Sequence, residues 1–574
     1  MKNKWWLKNE LALVLTGIIL LEFFCFLPVL RHVGFYLDDW VMLNYLSTGP
    51  DNLIDLLQFY FAVDPRVVNR PLEAIHFLGM FKFFGIKPFG YHVFNACTEI
   101  VTAWLLYLSL KLLSGNRRFS FLTCALFLLY PSHNITHYWV VSSSVTLSLV
   151  LYLGSLICDL KGSAYQRLSL HISSAFLYFL SLINYEVCLP LAALNIGLSF
   201  LIAQKQGTWK QAALYSLRPA ILLSLSVVAL YFYLKVLMPL LGTAWMHAVT
   251  FDSGLMLSTI SEGIRLNLPW VAFEYFLEHS ISFVRSEFGT TQLLLLVGQI
   301  FTMTCVYAAL SRLDETKSNH ESEKDAMSRF RLSAPVLILA GGLTVACSYT
   351  IFGLNDEYMP TFNTFINRVN AGATVGLSLV VLGLAIAINQ FVKTKNSIFI
   401  FRQIVPIAGA ILVCFYTTTN WSLARSFVIS WQLQAHIFKF LIANRNQFQS
   451  ASSVLLANAP RYANEAPVFD GVWDFQSMLR IALKRENVNG GVVCDRLKIC
   501  EIDLKDRSKG GFLCATYPFE NLYILISPTC EVVKVQDARQ FINLIDNRCM
   551  QFELNKELPA IWRKQMDTPD SQTR

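Results

Sequence analysis

The sequence predicts an all-α polytopic membrane protein of about eleven transmembrane helices, followed by a small C-terminal α/β or α+β domain on the non-cytoplasmic side. Hydrophobic residues make up 54% of the 574 residues and charged residues 15%, and the mean hydropathy is +0.45. This composition is typical of integral membrane proteins. Long apolar stretches recur along the first part of the chain, whereas polar and charged residues interleave from Trp421 to Arg574.

The membrane part is predicted to occupy residues 1–420, and residues 421–574 are predicted to form the separate C-terminal domain. The third apolar span is short and ends at Tyr130-Pro131, so it is predicted to be tilted, broken or only partly spanning. The predicted spans, each close to the length that crosses a hydrocarbon core, are residues 11–30, 91–113, 119–131, 139–158, 168–184, 187–203, 214–238, 291–311, 334–354, 370–390 and 403–420.

Basic residues indicate which side each connection faces. Lys2, Lys4 and Lys8 precede the first span and predict a cytoplasmic N-terminus, and Lys and Arg are in excess in the connections that then fall on that side. Eleven crossings place the C-terminal domain and residues 31–90 on the extracytoplasmic side of a cell inner (plasma) membrane. The net charge of +8 is explained by the cytoplasmic connections, and the sequence has no basic, aromatic-interleaved patch that would favour nucleic-acid binding.

The C-terminal domain is predicted from short β-rich runs that alternate with an amphipathic stretch. GGVVCD and NLYILIS are typical of strands, and the stretch from Trp473 to Lys484 is typical of a helix. In an extracytoplasmic domain cysteines can pair as disulfides, and the spacing leaves the connectivity open. The cysteines of this domain are Cys494, Cys500, Cys514, Cys530 and Cys549.

Residues 31–90 form a connection far longer than two neighbouring helices need, and long connections are usually functional. The segment GFYLDDWVML places adjacent carboxylates, Asp38 and Asp39, directly after the first span. An amphipathic stretch, DNLIDLLQFYFAVD, follows and can lie along the membrane surface, and the tetrapeptide NRPL comes next. Adjacent carboxylates suit a metal site, a pair with one raised pKa, or a general base for an acceptor hydroxyl. The alternative interpretation is a solvated turn after a helix.

The order of these motifs resembles that of the GT-C class of membrane glycosyltransferases, which includes protein O-mannosyltransferases and lipid A aminoarabinose transferases. Tyr36-Leu37-Asp38-Asp39 matches the acidic pair that follows the first helix in that class. Asn69-Arg70-Pro71-Leu72 is similar to its H-P-P-L turn, and LFLLYPSHNITHYWV to its short helix leading to a proline. Asn184-Tyr185-Glu186 through Pro190 is similar to its K-E-x-x-x-x-P corner.

The resemblance covers residues 10–205 and departs from the class at two positions. Asn69-Arg70 replaces the start of the H-P-P-L turn, and Tyr185 replaces the lysine that precedes the glutamate. The resemblance implies transfer of a sugar outside the membrane, from a polyprenyl-phosphate donor to a hydroxyl of a lipid, glycan or protein acceptor. It also implies inversion at the anomeric carbon.

An inverting displacement needs one carboxylate to take the acceptor's proton, and it needs Arg, Lys or a metal to neutralise the leaving phosphate. Asp38 is predicted to be the base because it matches the first acidic position of the class. Asp39 is predicted to orient the acceptor or to help hold a divalent metal ion. Arg70 and Arg368 are predicted to bind the donor phosphate, and the alternative for each is to snorkel or to pair with an acidic neighbour.

Other polar residues are candidates for binding the donor or the acceptor. His133 and His137 share a face if PSHNITHYW is helical and can bind a metal or a sugar hydroxyl, with interfacial hydrogen bonding as the alternative. Glu186 stands at a predicted outer helix end. Asp356 and Glu357 lie with Arg368 in NDEYMPTFNTFINR, a loop that is predicted to close over the donor or else to form ion pairs.

Two other classes of function are alternatives. A membrane transporter or lipid flippase would also need many helices and intramembrane carboxylates such as Glu22 and Glu99, but the sequence has no paired halves. A non-catalytic membrane scaffold would use the C-terminal domain as its binding module.

Overall fold

The computed structural model describes residues 2–240, 252–318, 331–355, 358–362, 365–394, 403–493, 497–499, 503–506 and 516–548. Its helices are α1 (Lys2–Leu30), α2 (Asp38–Thr48), α3 (Leu53–Val63), α4 (Pro65–Asn69), α5 (Pro71–Phe84), α6 (Pro88–Ser114), α7 (Arg117–Leu129), α8 (Ile135–Tyr138), α9 (Ser143–Tyr165), α10 (Leu168–Asn184), α11 (Ala192–Gln204), α12 (Trp209–Phe232), α13 (Met238–Leu240), α14 (Ser253–Leu266), α15 (Pro269–Ser286), α16 (Thr290–Ser318), α17 (Ala334–Ser348), α18 (Ala371–Thr394), α19 (Ile404–Ala443), α20 (Val472–Leu483) and α21 (Ala538–Arg548).

The predicted fold class, a polytopic helical membrane protein with a small C-terminal sheet domain, is confirmed. Among the described residues, nine helical segments are long and apolar enough to cross a membrane: Asn9–Leu30, Pro88–Ser114, Val140–Tyr165, Glu186–Gln204, Trp209–Leu240, Thr290–Asp314, Ala334–Leu354, Ile366–Val392 and Ile404–Ala443. Each of them coincides with one of the eleven predicted spans.

The remaining two predicted spans form shorter helices, α7 of 13 residues and α10 of 17 residues. At 1.5 Å per residue, α7 extends about 20 Å and α10 about 25 Å, less than the hydrocarbon core of about 30 Å. Nearly every residue of α7 is buried, so other helices surround it and it needs no lipid contact along its length. The third predicted span is therefore an enclosed helix.

The turn between α6 and α7 shows how the sequence ends one helix and starts the next. Gly115 adopts φ 68° at the end of α6, and its N–H donates to the carbonyl of Lys111, a left-handed position that favours glycine. A Cβ there would also clash with the side chain of Arg331. Asn116 then caps α7, because its side chain accepts the N–H of Phe119 at 3.1 Å.

The long connection predicted between the first two spans is a set of four helices, α2 to α5. The amphipathic stretch forms α3, which Asn52 caps by accepting the N–H of Ile54 at 2.9 Å. Leu53 and Ile54 are exposed while Leu56 and Tyr60 are buried. This one-sided burial agrees with a helix that lies along the membrane surface.

The C-terminal domain is built on a four-stranded mixed sheet of order β4-β1-β8-β9. Strands β4 and β8 both run parallel to β1, with Val454 opposite Gly490 and Tyr523, whereas β9 is antiparallel to β8. The domain also has a two-stranded and a three-stranded antiparallel sheet. The strands are β1 (Ser453–Ala457), β2 (Tyr462–Ala463), β3 (Ala466–Pro467), β4 (Asn489–Val492), β5 (Leu497–Ile499), β6 (Asp503–Asp506), β7 (Thr516–Pro518), β8 (Leu522–Ile526) and β9 (Glu531–Val535).

Both predicted strands and the predicted helix of this domain are present as β4, β8 and α20. Helix α19 continues without a break through residue 420, where the domain boundary was predicted, and the first strand begins at Ser453. Of the five cysteines, Cys530 is described, and it is buried and free. The others lie outside the described residues.

The C-terminal domain shares one apolar core with the helices of the long connection. Side chains of α2 such as Trp40 and Leu43 join the same buried cluster as Phe475 and Met478 of α20. Nε1 of Trp40 also donates to Oε1 of Gln434 on α19 at 2.7 Å. The helix that begins with the acidic pair is therefore held between the membrane part and the C-terminal domain.

Candidate active site

A constrained turn presents the acidic pair. Leu37, immediately before α2, has φ 50° and ψ −119°, a left-handed conformation that costs a side-chain-bearing residue about 1–3 kcal/mol. Neighbouring contacts hold the turn: the hydroxyl of Tyr36 donates to the carbonyl of Phe427 at 2.7 Å and accepts the N–H of Gly34 at 3.1 Å. The direction in which α2 begins is thus set by contacts far away in the sequence.

Asp39 is fully buried and binds backbone groups. Its Oδ2 accepts the N–H of Tyr36 at 2.9 Å and of Val140 at 3.4 Å, and its Oδ1 accepts the N–H of Val141 at 2.9 Å. Burial raises the pKa of Asp39 well above its ordinary value, while the three N–H donors act in the opposite direction. Asp39 therefore joins the start of α2 to the segment that precedes α9.

Asp38, by contrast, is only half-buried. Its negative charge favours the Arg368 guanidinium, less strongly than Tyr185 and Tyr358 do. The two adjacent carboxylates thus have different surroundings, because Asp39 is enclosed by backbone N–H groups and Asp38 is partly exposed.

Arg70 and Glu186 form a bidentate ion pair. Nε and Nη2 of Arg70 donate to Oε2 and Oε1 of Glu186 at 2.9 and 2.7 Å, and Nη1 lies 3.7 Å from Glu73. Pro71 starts α5 directly after Arg70, and Glu186 opens the 3₁₀ turn after α10. The side chains of Arg70 and Glu186 remain 22% and 28% exposed, so the pair is accessible to a ligand.

Aromatic rings surround the two arginines. The guanidinium carbon of Arg70 lies 4.0 Å from the centre of the Tyr185 ring, and Nε of Arg368 donates to the Tyr185 hydroxyl at 3.1 Å. The guanidinium of Arg368 also lies 4.7 Å from the Trp139 ring and 5.9 Å from the Tyr358 ring. Burial raises the pKa of Tyr358, and the positive charges of Arg368 and Arg70 partly offset that rise.

We call Asp38, Arg70, Tyr185, Glu186 and Arg368 the loop-side cluster. Four of its members, all except Tyr185, are residues that the sequence singled out as candidates, and they come from four distant segments of the chain. The guanidinium groups of Arg70 and Arg368, which both contact Tyr185, can bind a phosphate, and the half-buried carboxylate of Asp38 can act as a base.

His133 and His137 lie in a separate, fully enclosed cluster. They are on a 3₁₀ turn and α8, their ring centres are 6.5 Å apart, and His137 stacks on Phe26 at 3.9 Å. Burial lowers the pKa of His133 to about 4 and of His137 to about 3. The imidazoles are therefore neutral at physiological pH.

The intramembrane carboxylates Glu22 and Glu99 adjoin these histidines. Nδ1 of His137 lies 3.7 Å from Oε1 of Glu22, and Oε1 of Glu99 accepts the hydroxyls of Thr136 and Thr146 at 2.7 and 2.9 Å. Throughout the described part of the chain, no group of three or more His, Cys, Asp or Glu side chains is arranged to hold a metal ion.

Asp356 and Glu357, which were predicted to belong to a closing loop, lie outside the described residues. Three aromatic residues of the site, Tyr185, Trp139 and Tyr358, were not predicted as site residues. Tyr185 carried a signal in the sequence, because it stands where the resembled class has a lysine. Trp139 and Tyr358 carried none, since a single aromatic residue near a helix end is common at membrane interfaces.

Comparisons with known proteins bear on the resemblance seen in the sequence, although no protein-family model matches the chain. The chain is 31% identical over 147 residues to the protein O-mannosyl-transferase Tmtc1 of Drosophila melanogaster, a match that covers 24% of this chain and 17% of the fly protein. The structure of ArnT from Cupriavidus metallidurans bound to undecaprenyl phosphate superposes with a TM-score of 0.39 and 12% identity, over 84% of this chain and 85% of ArnT. Its apo state gives a TM-score of 0.38 and 13% identity over the same shares. The chain thus resembles, over about a quarter of its length, a transferase of the kind that its N-terminal motifs indicated.

Proposed function

We propose that this chain is a GT-C-type membrane glycosyltransferase that moves a sugar from a polyprenyl-phosphate donor to a hydroxyl acceptor, with inversion at the anomeric carbon. The proposed site is the loop-side cluster, on the extracytoplasmic face of the plasma membrane. Asp38 is the base, and Arg70 and Arg368 bind the donor phosphate.

The observation that carries this proposal is the convergence of Asp38, Arg70, Glu186 and Arg368. Arg70 forms a bidentate pair with Glu186, and both arginines contact Tyr185. The charge of Asp38, at the start of α2, makes a smaller contribution to stabilising Arg368. The cluster lies where the span Asn9–Leu30 ends and the span Glu186–Gln204 begins. A lipid-linked phosphate would arrive at that depth.

The chemistry follows from the two kinds of charge in the cluster. The Asp38 carboxylate takes the proton of the acceptor hydroxyl, whose oxygen attacks the anomeric carbon as the bond from that carbon to the phosphate oxygen breaks. The leaving polyprenyl phosphate gains negative charge in this step. Guanidinium groups that are already in place stabilise that charge more strongly in the transition state than in the bound donor.

The structure suggests a supporting part for Asp39 rather than a ligand-binding one. Both of its oxygens accept backbone N–H groups, which fixes Asp38 against the segment that carries Trp139. The described residues do not fit a divalent ion at this place, because these oxygens are committed and no third carboxylate or imidazole is grouped with them. The proposal therefore assigns the phosphate charge to the arginines.

The curated relative supports sugar transfer as the activity, since its name describes a transferase of mannosyl groups to protein. A protein hydroxyl is accordingly the first acceptor to test, followed by lipid and glycan hydroxyls.

The decisive experiment uses the purified full chain in nanodiscs with radiolabelled undecaprenyl- and dolichyl-phosphate sugars. We expect one donor to lose its sugar to an acceptor while polyprenyl phosphate is released, and we expect no transfer by the Asp38→Asn variant. Movement of the intact donor across a liposome bilayer without cleavage would overturn the proposal in favour of a flippase. Failure of the wild-type chain to bind any polyprenyl phosphate would overturn it as well.

A further inference from the structure

Tyr185 lies between the two arginines of the loop-side cluster and contacts each of them differently. The guanidinium carbon of Arg70 lies 4.0 Å from the centre of the Tyr185 ring, and the Tyr185 hydroxyl oxygen accepts the Nε–H of Arg368 at 3.1 Å. The Tyr185 side chain is almost completely buried. One neutral side chain therefore contacts both cations.

We infer that Tyr185 is a positioning residue that holds Arg70 and Arg368 as a pair to bind one phosphate. This inference rests on the proposed function and deepens it. The pair would bind the phosphate of the polyprenyl donor and, more tightly, the polyprenyl phosphate product, because the product carries one more negative charge.

Tyrosine suits this task for an electrostatic reason. Two guanidinium groups repel each other, and a carboxylate placed between them would compete with the phosphate for the same donors. The negative face of an aromatic ring and the lone pairs of a hydroxyl stabilise cations without carrying a net charge. Tyr185 can therefore keep both arginines in place and leave their positive charge available to the ligand.

The backbone around Tyr185 is fixed. The amide of Asn184 donates to the carbonyl of Ser144 at 2.6 Å and to the hydroxyl of Ser148 at 2.9 Å, which ties the end of α10 to α9. The N–H of Tyr185 closes the last turn of α10 on the carbonyl of Ser181 at 3.0 Å. The ring is thus carried by two packed helices, and it can define the spacing of the arginines.

Arg368 has further aromatic support that does not depend on Tyr185. The Trp139 ring lies 4.7 Å from its guanidinium carbon. Loss of the Tyr185 hydroxyl alone should therefore alter the direction of the Arg368 guanidinium while Arg368 stays in the site. Loss of the whole ring should displace both arginines.

The test compares three variants of the full chain in nanodiscs by their affinity for undecaprenyl phosphate. Tyr185→Phe keeps the ring and removes the acceptor of Arg368, so we expect about tenfold weaker binding. Tyr185→Leu removes both contacts, so we expect a loss on the order of 100-fold. The matched control is Tyr178→Phe, which removes another tyrosine hydroxyl of α10 that donates to the carbonyl of Leu189 at 2.6 Å. The control should bind as the wild type does.

A double-mutant cycle separates positioning from a merely structural role. If Tyr185 acts through Arg368, the Tyr185→Phe change should have no further effect on binding in an Arg368→Ala background. An equal loss in both backgrounds would overturn the inference. Wild-type affinity in Tyr185→Leu would overturn it while leaving the proposed function standing, whereas absence of binding by the wild-type chain would overturn both.

Discussion

Two clusters of charged side chains lie at opposite ends of the first membrane helix, and they differ in how completely their charges are enclosed. In the N-terminal cluster, Glu10 is buried, its Oε1 accepts from Tyr107 at 2.7 Å and from Lys111, and its Oε2 accepts from Arg117 at 2.8 Å. Nη1 of Arg117 also donates to Oδ1 of Asp314 at 3.2 Å. The loop-side cluster also contains an ion pair, Arg70 with Glu186, but the Glu186 side chain is 28% exposed, whereas that of Glu10 is 1% exposed.

The difference separates structural charges from charges that can exchange partners. Each oxygen of Glu10 is held by groups of the protein itself, and a buried ion with one partner removed is strongly destabilising. In the loop-side cluster, aromatic faces provide part of the cation stabilisation, and in the proposed function a phosphate would replace the partly exposed Glu186 carboxylate at Arg70. We therefore expect changes in the first cluster to affect folding and changes in the second to affect ligand binding and turnover.

The largest effect is expected for Glu10→Ala. Removing the buried carboxylate that Lys111 and Arg117 share leaves Arg117 with Asp314, so the chain should lose about 3 kcal/mol of stability, measured as a lower thermal transition in detergent. Glu262→Ala, which breaks an exposed ion pair with Arg265, is the matched control and should leave the transition unchanged. A Glu10→Ala protein of normal stability would remove the contrast between the clusters.

Asp38→Asn should lower turnover by on the order of 100-fold or more while leaving expression and donor binding largely intact. Asparagine keeps the size of the side chain but cannot accept the proton of the acceptor. Steady-state sugar transfer gives the turnover, and undecaprenyl phosphate binding checks the fold. Asp55→Asn on the exposed start of α3 is the control, and near-wild-type turnover in Asp38→Asn would show that Asp38 is not the base.

Asp39→Asn should act mainly on stability. An amide nitrogen in place of one oxygen would face backbone N–H donors of Tyr36 or Val141, which costs about 1–3 kcal/mol. The expected result is a lower thermal transition together with a smaller loss of turnover than in Asp38→Asn. If turnover falls further than in Asp38→Asn while the transition is unchanged, the roles assigned to the two carboxylates are reversed.

The smallest effect is expected for Glu186→Gln. Neutralising this side chain removes the carboxylate that competes with a phosphate for the Nε–H and Nη2–H donors of Arg70. Undecaprenyl phosphate should therefore bind several-fold more tightly, a gain in binding free energy of up to about 1 kcal/mol. Affinity measured in nanodiscs checks this, with Glu262→Gln as the control. Weaker binding would mean that Glu186 holds Arg70 in place for the ligand and is not exchanged.

Much of the membrane part could be predicted from the sequence, because lipid exposure requires long apolar helices. All eleven predicted spans lie on helices, but length and composition do not show that α7 is enclosed by other helices. The boundary at residue 420 was placed where the composition changes, yet α19 continues to Ala443, and its last part, including Leu433 and Leu441, packs in the same buried cluster as the C-terminal domain. The two histidines and Arg70 were all candidate ligands in the sequence, and only the structure separates the buried imidazoles from the accessible arginine.

The sequence by itself determined that the chain is a helical membrane protein with a C-terminal sheet domain, and it identified Asp38, Arg70, Glu186 and Arg368 as candidates. These conclusions depend on local properties: hydropathy, charge and the order of short motifs. The tertiary structure decided which of two adjacent carboxylates is partly exposed, which aromatic side chains accompany the arginines, and that Arg70, Glu186 and Arg368 are joined through Tyr185 and an ion pair. Such facts depend on contacts between segments hundreds of residues apart, which the packing of helices determines and local sequence does not encode.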